Sequence, residues 1–225
     1  IERVQQRKVY KKERDQLRDE AKAAFLPHAL IKERSMYAIV DTQTNRVFIT
    51  STTFKRAENL LSTLRACLGS LPVRPIRSAM LPRTAYTQWI RDEKAPDPLT
   101  LVDFALMEGE DSAKVGFAHV DLASEEVRLN VLAGRFVTKL FLGVVDDDGQ
   151  ILAAAMMDDS LQLRRVYFGS HLSMDVDDRS SGVEDPQAAH RAALQASVLL
   201  GGDAVNKLLD QVLDHCGGDE FKGDL

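Results

Sequence analysis

Cysteine is nearly absent: Cys67 and Cys216 are the only two in 225 residues, and they stand far apart. That number and spacing exclude a disulfide framework and the common zinc-ligand patterns, and a reducing cytoplasm is the expected compartment. No apolar run approaches the roughly 20 residues that cross a bilayer, and no charged n-region leads into an apolar h-region, so neither a membrane span nor a signal peptide is predicted. Aromatic residues are scarce, at 6%, which argues against a surface built to stack along single-stranded nucleic acid. The fixed-spacing enzyme signatures are missing as well: there is no phosphate-binding glycine loop, no nucleophile elbow and no HExxH.

His28, His119, His171, His190 and His215 are scattered, and residues 146–149 (DDDG) lack the spaced ligands and closing Glu of a calcium loop. The latter read as a hairpin turn, and the acidic run at residues 175–178 (DVDD) as a solvated loop. No catalytic residue, metal or cofactor is assigned from these patterns.

What is present is a hydrophobic content of 44%, enough to bury a real core, and a lopsided charge distribution. Residues 1–100 carry 19 Lys and Arg against 11 Asp and Glu, a net of +8, and residues 101–225 carry 10 against 23, a net of -13. A bipolar chain of this kind fits one region that faces an anionic partner and another held away from it. A solubilising acidic surface beside chance clustering gives the same counts.

Residues 1–24 contain no Gly or Pro and mostly good helix formers, so a helix is predicted there, ended by Pro27. Residues 36–41 and 47–50 read as a hairpin. Phe54, Ala57, Leu60, Leu61, Leu64, Cys67 and Leu68 recur at helical spacing ahead of Gly69, predicting an amphipathic helix on that hairpin with Cys67 on its buried face. Residues 70–76 are extended by their prolines, and a short helix covers residues 86–91. Residues 94–98 (KAPDP) are the best internal boundary. Beyond them come a strand at residues 113–122, a helix at residues 124–133 capped by Ser124 and closed by Gly134, and an antiparallel meander at residues 135–145, 151–157 and 161–168. Two helices, residues 186–200 and 203–216, end the chain, divided by Gly201 and Gly202. The expected fold class is α+β, with antiparallel sheets, packed helices and a long N-terminal helical arm. The units are residues 1–35 (arm and apolar tip), 36–98 (central α/β unit) and 99–225 (α+β unit with the meander).

On a helical wheel Arg3, Arg7, Lys11, Arg14, Arg18 and Lys22 fall within a sector of about 100°, with Glu2, Glu13 and Glu20 nearly opposite. Lys8 and Lys12 adjoin them. The stripe would run about 30 Å along the helix axis, close to one turn of duplex DNA at roughly 34 Å. Cations so spaced can follow a run of phosphates, which positions a protein without reading sequence. Asp15 and Asp19 flank the stripe, and a merely solvated basic face is the alternative. No recognition-helix motif for base reading is evident.

Several separate pieces resemble one bacterial family, the recombination-associated protein RdgC. They are residues 11–20 (KKERDQLRDE) with 26–30 (LPHAL), 68–73 (LGSLPV), 121–126 (DLASEE), 134–140 (GRFVTKL), and the Gly202-Asp203 helix that ends at Gly217-Gly218. The resemblance implies a ring-forming homodimer with a basic central hole, which encircles duplex DNA without sequence preference and restrains RecA-driven recombination. It also implies a cytoplasmic, nucleoid-associated protein, and a longer chain of which a preceding N-terminal portion is missing before Ile1. The apolar tip at Phe25, Leu26 and Leu30 would plug a pocket in the partner subunit, with Leu30 where the family favours Phe. A second subunit contact would lie at His119, Val120 and Asp121, where the family usually carries Lys and Gln in place of His119 and Val120. Arg135 and Lys139 match basic positions of the family pattern and, being an even number of residues apart, are expected on one strand face. Two other classes remain open: a metal-dependent hydrolase built on residues 146–148 or 175–178, and a protein-interaction module that uses the arm helix.

Overall fold

The computed structural model describes residues 6–30, 33, 35–51, 53–183 and 185–221. Contacts divide the chain into two units, Ile1–Tyr37 and Ala38–Leu225.

The smaller unit holds helix α1, Lys11–Phe25, followed by a 3₁₀ turn over Leu26–His28. Its residues are strong helix formers, and Pro27 stops the α-helical ladder. Glu13 in the first turn and Lys22 in the last complement the helix dipole. The predicted start at residue 1 is corrected: Tyr10 is the extended N-cap, Gln6 has φ +49°, and residues 1–5 lie outside the described part. Val9 and Tyr10 are weak helix formers, and a competing local bond forms there. Arg7 donates to both carboxylate oxygens of Glu13, at 2.7 and 2.5 Å, folding the preceding chain back along the first turns. No residue of α1 is buried.

The larger unit opens with the predicted hairpin, β1 (Ala38–Asp41) and β2 (Arg46–Ile49), in register from Ala38↔Ile49 to Asp41↔Arg46. The Asp41 carboxylate closes the turn by accepting from the Gln43 and Thr44 backbone N–H groups and from the Thr44 hydroxyl. Helix α2 (Phe54–Leu68) follows and ends at Gly69, φ +78°. It buries no residue, and Cys67 is exposed, so the expected buried face is corrected: the apolar spacing is there, but nothing packs tightly on it.

The core lies on one face of a five-stranded antiparallel sheet of order β4-β3-β5-β6-β7. These strands are β3 (Leu99–Glu108), β4 (Lys114–Ala118), β5 (Phe136–Val145), β6 (Ile151–Asp158) and β7 (Leu163–Phe168). The meander β5-β6-β7 forms as predicted. Strand β3, ten residues between β4 and β5, was not foreseen; its register breaks between Leu101 and Ala105, which blurs the period-2 signal. Packed on this face are α3 (Pro82–Arg91), with Pro82 at its first turn and Tyr86, Trp89 and Ile90 buried, and α4 (Glu125–Leu132), with Val127 and Val131 buried.

Helix α5 (Ser170–Ser180) takes up the acidic residues 175–178, which are exposed or nearly so but helical rather than in a loop. The last helix, α6 (Pro186–His215), is one continuous element of 30 residues where two were expected. Its N-cap Asp185 accepts from the Gln187 and Ala188 N–H groups. Gly201 and Gly202 do not break it, because its buried stripe of Ala204, Leu208, Leu209, Val212 and Leu213 anchors the second half and Gly201 sits against the Phe168 ring. Among the described residues no helix is long and apolar enough to cross a membrane.

The hairpin is tied to α6 by a polar chain. Arg46 donates to Asn206 Oδ1 at 2.8 Å and pairs with Asp210, and the buried Asn206 donates to Asp41 Oδ2 at 2.7 Å. Bonds from the Thr44 hydroxyl and the Gln43 N–H lower the Asp41 pKa to about 2. A depressed carboxyl stabilises the fold above its ordinary pKa and loses that contribution as pH falls through the folded value. Stability therefore declines between about pH 4 and pH 2 in part through Asp41, and Asp41→Asn flattens that decline in acid-titrated circular dichroism. The glycine pair gives a second expectation. An added Cβ meets nothing within 4 Å at Gly202 but lies 3.2 Å from Phe168 Cζ at Gly201. Gly202→Ala should stabilise by about 0.5–1 kcal/mol from helix propensity, and Gly201→Ala by less, as read by urea unfolding.

Candidate nucleic-acid interface

The predicted cations of the arm other than Arg3 lie among the described residues. Lys11, Lys12, Arg14, Arg18 and Lys22 lie on α1 with exposed side chains, and Arg7 and Lys8 precede it in non-helical chain. Arg3 lies outside the described residues. Among the described residues the side chains of Lys8, Lys11, Lys12 and Lys22 make no hydrogen bond or ion pair, and Arg18 approaches Asp15 only to 3.9 Å. Arg14 reaches the Val9 carbonyl at 3.5 Å. From Lys11 to Lys22 the helical stripe spans about 17 Å, roughly half the length expected. Exposed pairs of this kind hold their partners weakly, so these cations are available to an external anion. Arg7 is committed to Glu13, whose carboxyl it holds below the usual range.

The apolar residues at the end of the arm are exposed: Phe25 at 72%, Leu26 at 66% and Leu30 at 101%. These three apolar side chains at the end of a polar helix are exposed to solvent rather than packed in a core.

The remaining predicted positions lie in the larger unit. His119 follows β4 with φ +58°, its Nδ1 2.9 Å from Asp103 Oδ2 and its backbone N–H bonded to the Asp103 carbonyl. Val120 is exposed at the surface beside it. Asp121 forms the turn into α4, accepting from the Ala123 N–H at its carboxylate and the Ser124 N–H at its carbonyl. Arg135 donates to Asn130 Oδ1 at 3.1 Å, and its Nε is buried without a partner. Lys139 pairs in register with Leu106, but Val137 pairs with Met107, so one step along β3 matches two along β5. Val137 and Leu140 therefore both face the core. This bulge puts Arg135 in phase with the core-facing set and Lys139 on the other face, so the even spacing does not align them.

The acidic candidates have local structural duties. Asp146 Oδ1 accepts from the Asp148 and Gln150 N–H groups. Among the described residues no group of three or more His, Cys, Asp or Glu is placed to hold a metal ion. A cleft of about 680 Å³ beside α3 sets Arg83 and Arg91 against Glu108 and Glu110, with Arg83 5.1 Å over the Phe136 ring. Its charges balance within the cleft.

The sheet face away from α3 and α6 was not singled out from sequence. Alternation from the core-facing Ala105, Leu140, Leu142, Ala153 and Ala155 leaves Phe104, Phe141, Met156 and Tyr167 on it, with Lys139 and Arg164. Arg165 extends over the Phe104 ring, 6.0 Å from its centroid. The signal was present in residues 164–168 (RRVYF), where cations and aromatics adjoin.

A family model described as "Putative exonuclease, RdgC" matches residues 1–219. The chain belongs to the RdgC family. It is 35% identical over 223 residues to the recombination-associated protein RdgC of Pseudomonas syringae pv. tomato, covering 98% of this chain and 69% of that protein. It is 36% identical over 222 residues to the protein of the same name from Pseudomonas fluorescens, again covering 98% and 69%. The RdgC-like motifs fall at structural junctions. Residues 68–73 leave α2 through Gly69, residues 121–126 turn into α4, residues 134–140 enter β5 at its bulge, and Gly217 and Gly218, both at positive φ, close α6.

Proposed function

We propose that this RdgC-family chain binds duplex DNA without sequence preference, clamps or encircles it as a homodimer, and so restrains RecA-mediated recombination in the cytoplasm at the nucleoid. The observation that carries the reading is the exposed cationic stripe of Lys11, Arg14, Arg18 and Lys22 on α1, with Lys8 and Lys12 beside it. Such a stripe neutralises phosphates and releases their counterions, and a duplex so occupied is denied to the recombinase. Lys139, Arg135 and Arg3 are further proposed contacts, and Arg7 joins them if phosphate displaces Glu13. The exposed tip at Phe25, Leu26 and Leu30 would seat in the partner subunit, and His119, Val120 and Asp121 would form the second contact. The names of the relatives, recombination-associated proteins, support the class of process.

Binding of a labelled random-sequence duplex should weaken steeply as salt rises. Reversing Lys11, Arg14, Arg18 and Lys22 to Glu together should lower affinity by at least 100-fold at low salt, since four phosphate contacts are lost; unchanged affinity in fluorescence anisotropy would remove α1 from the interface. The family description favours a second reading, exonuclease action. Incubating end-labelled duplex with the purified chain and Mg²⁺ or Mn²⁺ separates the two: binding without shortening of the strand is expected, and progressive shortening would establish the nuclease.

A further inference from the structure

We infer that the β1–β2 hairpin and α2 swing as one body about Pro72 and Val73, and that a polar catch of Asp41, Arg46, Asn206 and Asp210 holds this body closed against α6. Helix α1 precedes β1 in the chain, so a swing carries the attachment point of the cationic arm with it. That the swing admits a duplex to the clamp rests on the proposed function; the hinge and its catch do not.

Three observations carry it. The first is that no apolar seal fixes this body in place. Among the described residues of β1, β2 and α2 none is buried, and Phe48 alone of them packs, partly buried, against the core. Val40, Phe54 and Leu68 stay exposed. A segment with so few buried apolar contacts parts from its neighbours more readily than one sealed by a core. The second is the catch. Asp41 and Arg46 are cross-strand partners at the turn end of the hairpin, and both reach the same side chain of α6. Asn206, 5% exposed, accepts from Arg46 at 2.8 Å and donates to Asp41 Oδ2 at 2.7 Å, while Arg46 also pairs with Asp210. Both ends of one buried amide are thus met by the hairpin. Such bonds are directional, so they define one position, and they exchange for bonds to water when they part, so leaving that position stays accessible.

The third is the connector from α2 to α3. Its first part is fixed to α2, where Arg65 Nε donates to the Leu71 carbonyl at 3.2 Å. Its second part is fixed to the chain that follows α6. Arg74 donates to the Phe221 carbonyl at 3.2 Å and lies 3.8 Å over the Phe221 ring, the Glu220 N–H donates to the Arg77 carbonyl, and the Ala79 and Met80 N–H groups donate to the Gly218 and Cys216 carbonyls. Pro72 and Val73 lie between the two fixed parts. The bond that the Val73 N–H donates to the Leu71 carbonyl, at 2.9 Å, spans only that turn, and Pro72 is exposed. Two residues flanked by clamped segments are where a change in φ and ψ concentrates.

The test places nitroxides on the full chain at the exposed Cys67 of α2 and at Asp147→Cys in the exposed β5–β6 turn, Cys216 being buried. Labelled chain is diluted with excess unlabelled chain, so that double electron–electron resonance reads distances within one chain. Asn206→Leu with Arg46→Gln removes all three bonds of the catch, and Asp210→Ala removes only the pair with Arg46 and disturbs no buried group. In the first variant a second distance should gain at least about tenfold in population over the unaltered chain, and in Asp210→Ala it should gain less. A single unchanged distance in both variants overturns the inference. Amide exchange separates a swing from unfolding: protection of β1 and β2 retained in the catch variant supports the swing, and its loss overturns it. Val73→Pro stiffens the connector and should reduce the second population, and no reduction overturns the hinge at Pro72 and Val73. Faster association of the catch variant with a labelled duplex supports the swing as the route of entry, and an unchanged rate overturns that role. Reversing the four α1 cations should lower duplex affinity and leave both distances as they are, so the duplex reading and the hinge fail separately.

Discussion

The larger unit depends on one contact: the apolar stripe of α6 laid on the core-facing side of the five-stranded sheet. Leu208 and Val212 are wholly buried there, and Leu209 and Leu213 nearly so, against a layer that includes Leu140, Leu142, Ala153 and Ala155. Each such side chain contributes about 1.5–3 kcal/mol by leaving water. Other elements take their place from this helix. The β1–β2 hairpin is bonded to it through Asn206, Met80 donates to the Cys216 carbonyl at its end, and His215 meets the Trp89 ring edge-on. Because α6 and α3 take one sheet face, the other is left with half-exposed aromatics and cations.

The smaller unit is organised on the opposite principle. Helix α1 buries nothing and is held by its own backbone ladder, by charges that suit its dipole and by the Arg7–Glu13 bond at its start. Side chains that pack against nothing are at liberty to meet a ligand, and the apolar tip beyond Pro27 has the same character. A chain of net charge -5 can thus offer a concentrated cationic surface, because the acids are concentrated in its second half.

Legibility of the fold followed the strength of local signals. The meander and the hairpin were readable because alternation agrees with turn residues such as Gly149 and Asn45, both at positive φ, and the helix after Ser124 because the positive-φ Gly134 closes it. Strand β3 escaped because its register break interrupts the alternation, and α6 was divided in two because a Gly-Gly pair reads as a stop unless packing overrides it. Cys67 carried the right helical spacing for a buried face, but spacing does not supply a partner surface. The same limit applied to the candidate site. The cations of α1 share a face by helical periodicity alone, whereas Arg135 and Lys139 share spacing but are parted by a bulge that only strand pairing reveals.

The sequence by itself determined the α+β class, the cationic helix and its apolar end, and the family, since these follow from composition, period and motif, which are local properties of the chain. Tertiary structure alone decided which sheet face the helices cover, that α6 runs unbroken past Gly201, and that Arg165 lies over Phe104. Those outcomes arise from contacts between residues distant in sequence, where burial and register outweigh the preference of any single segment.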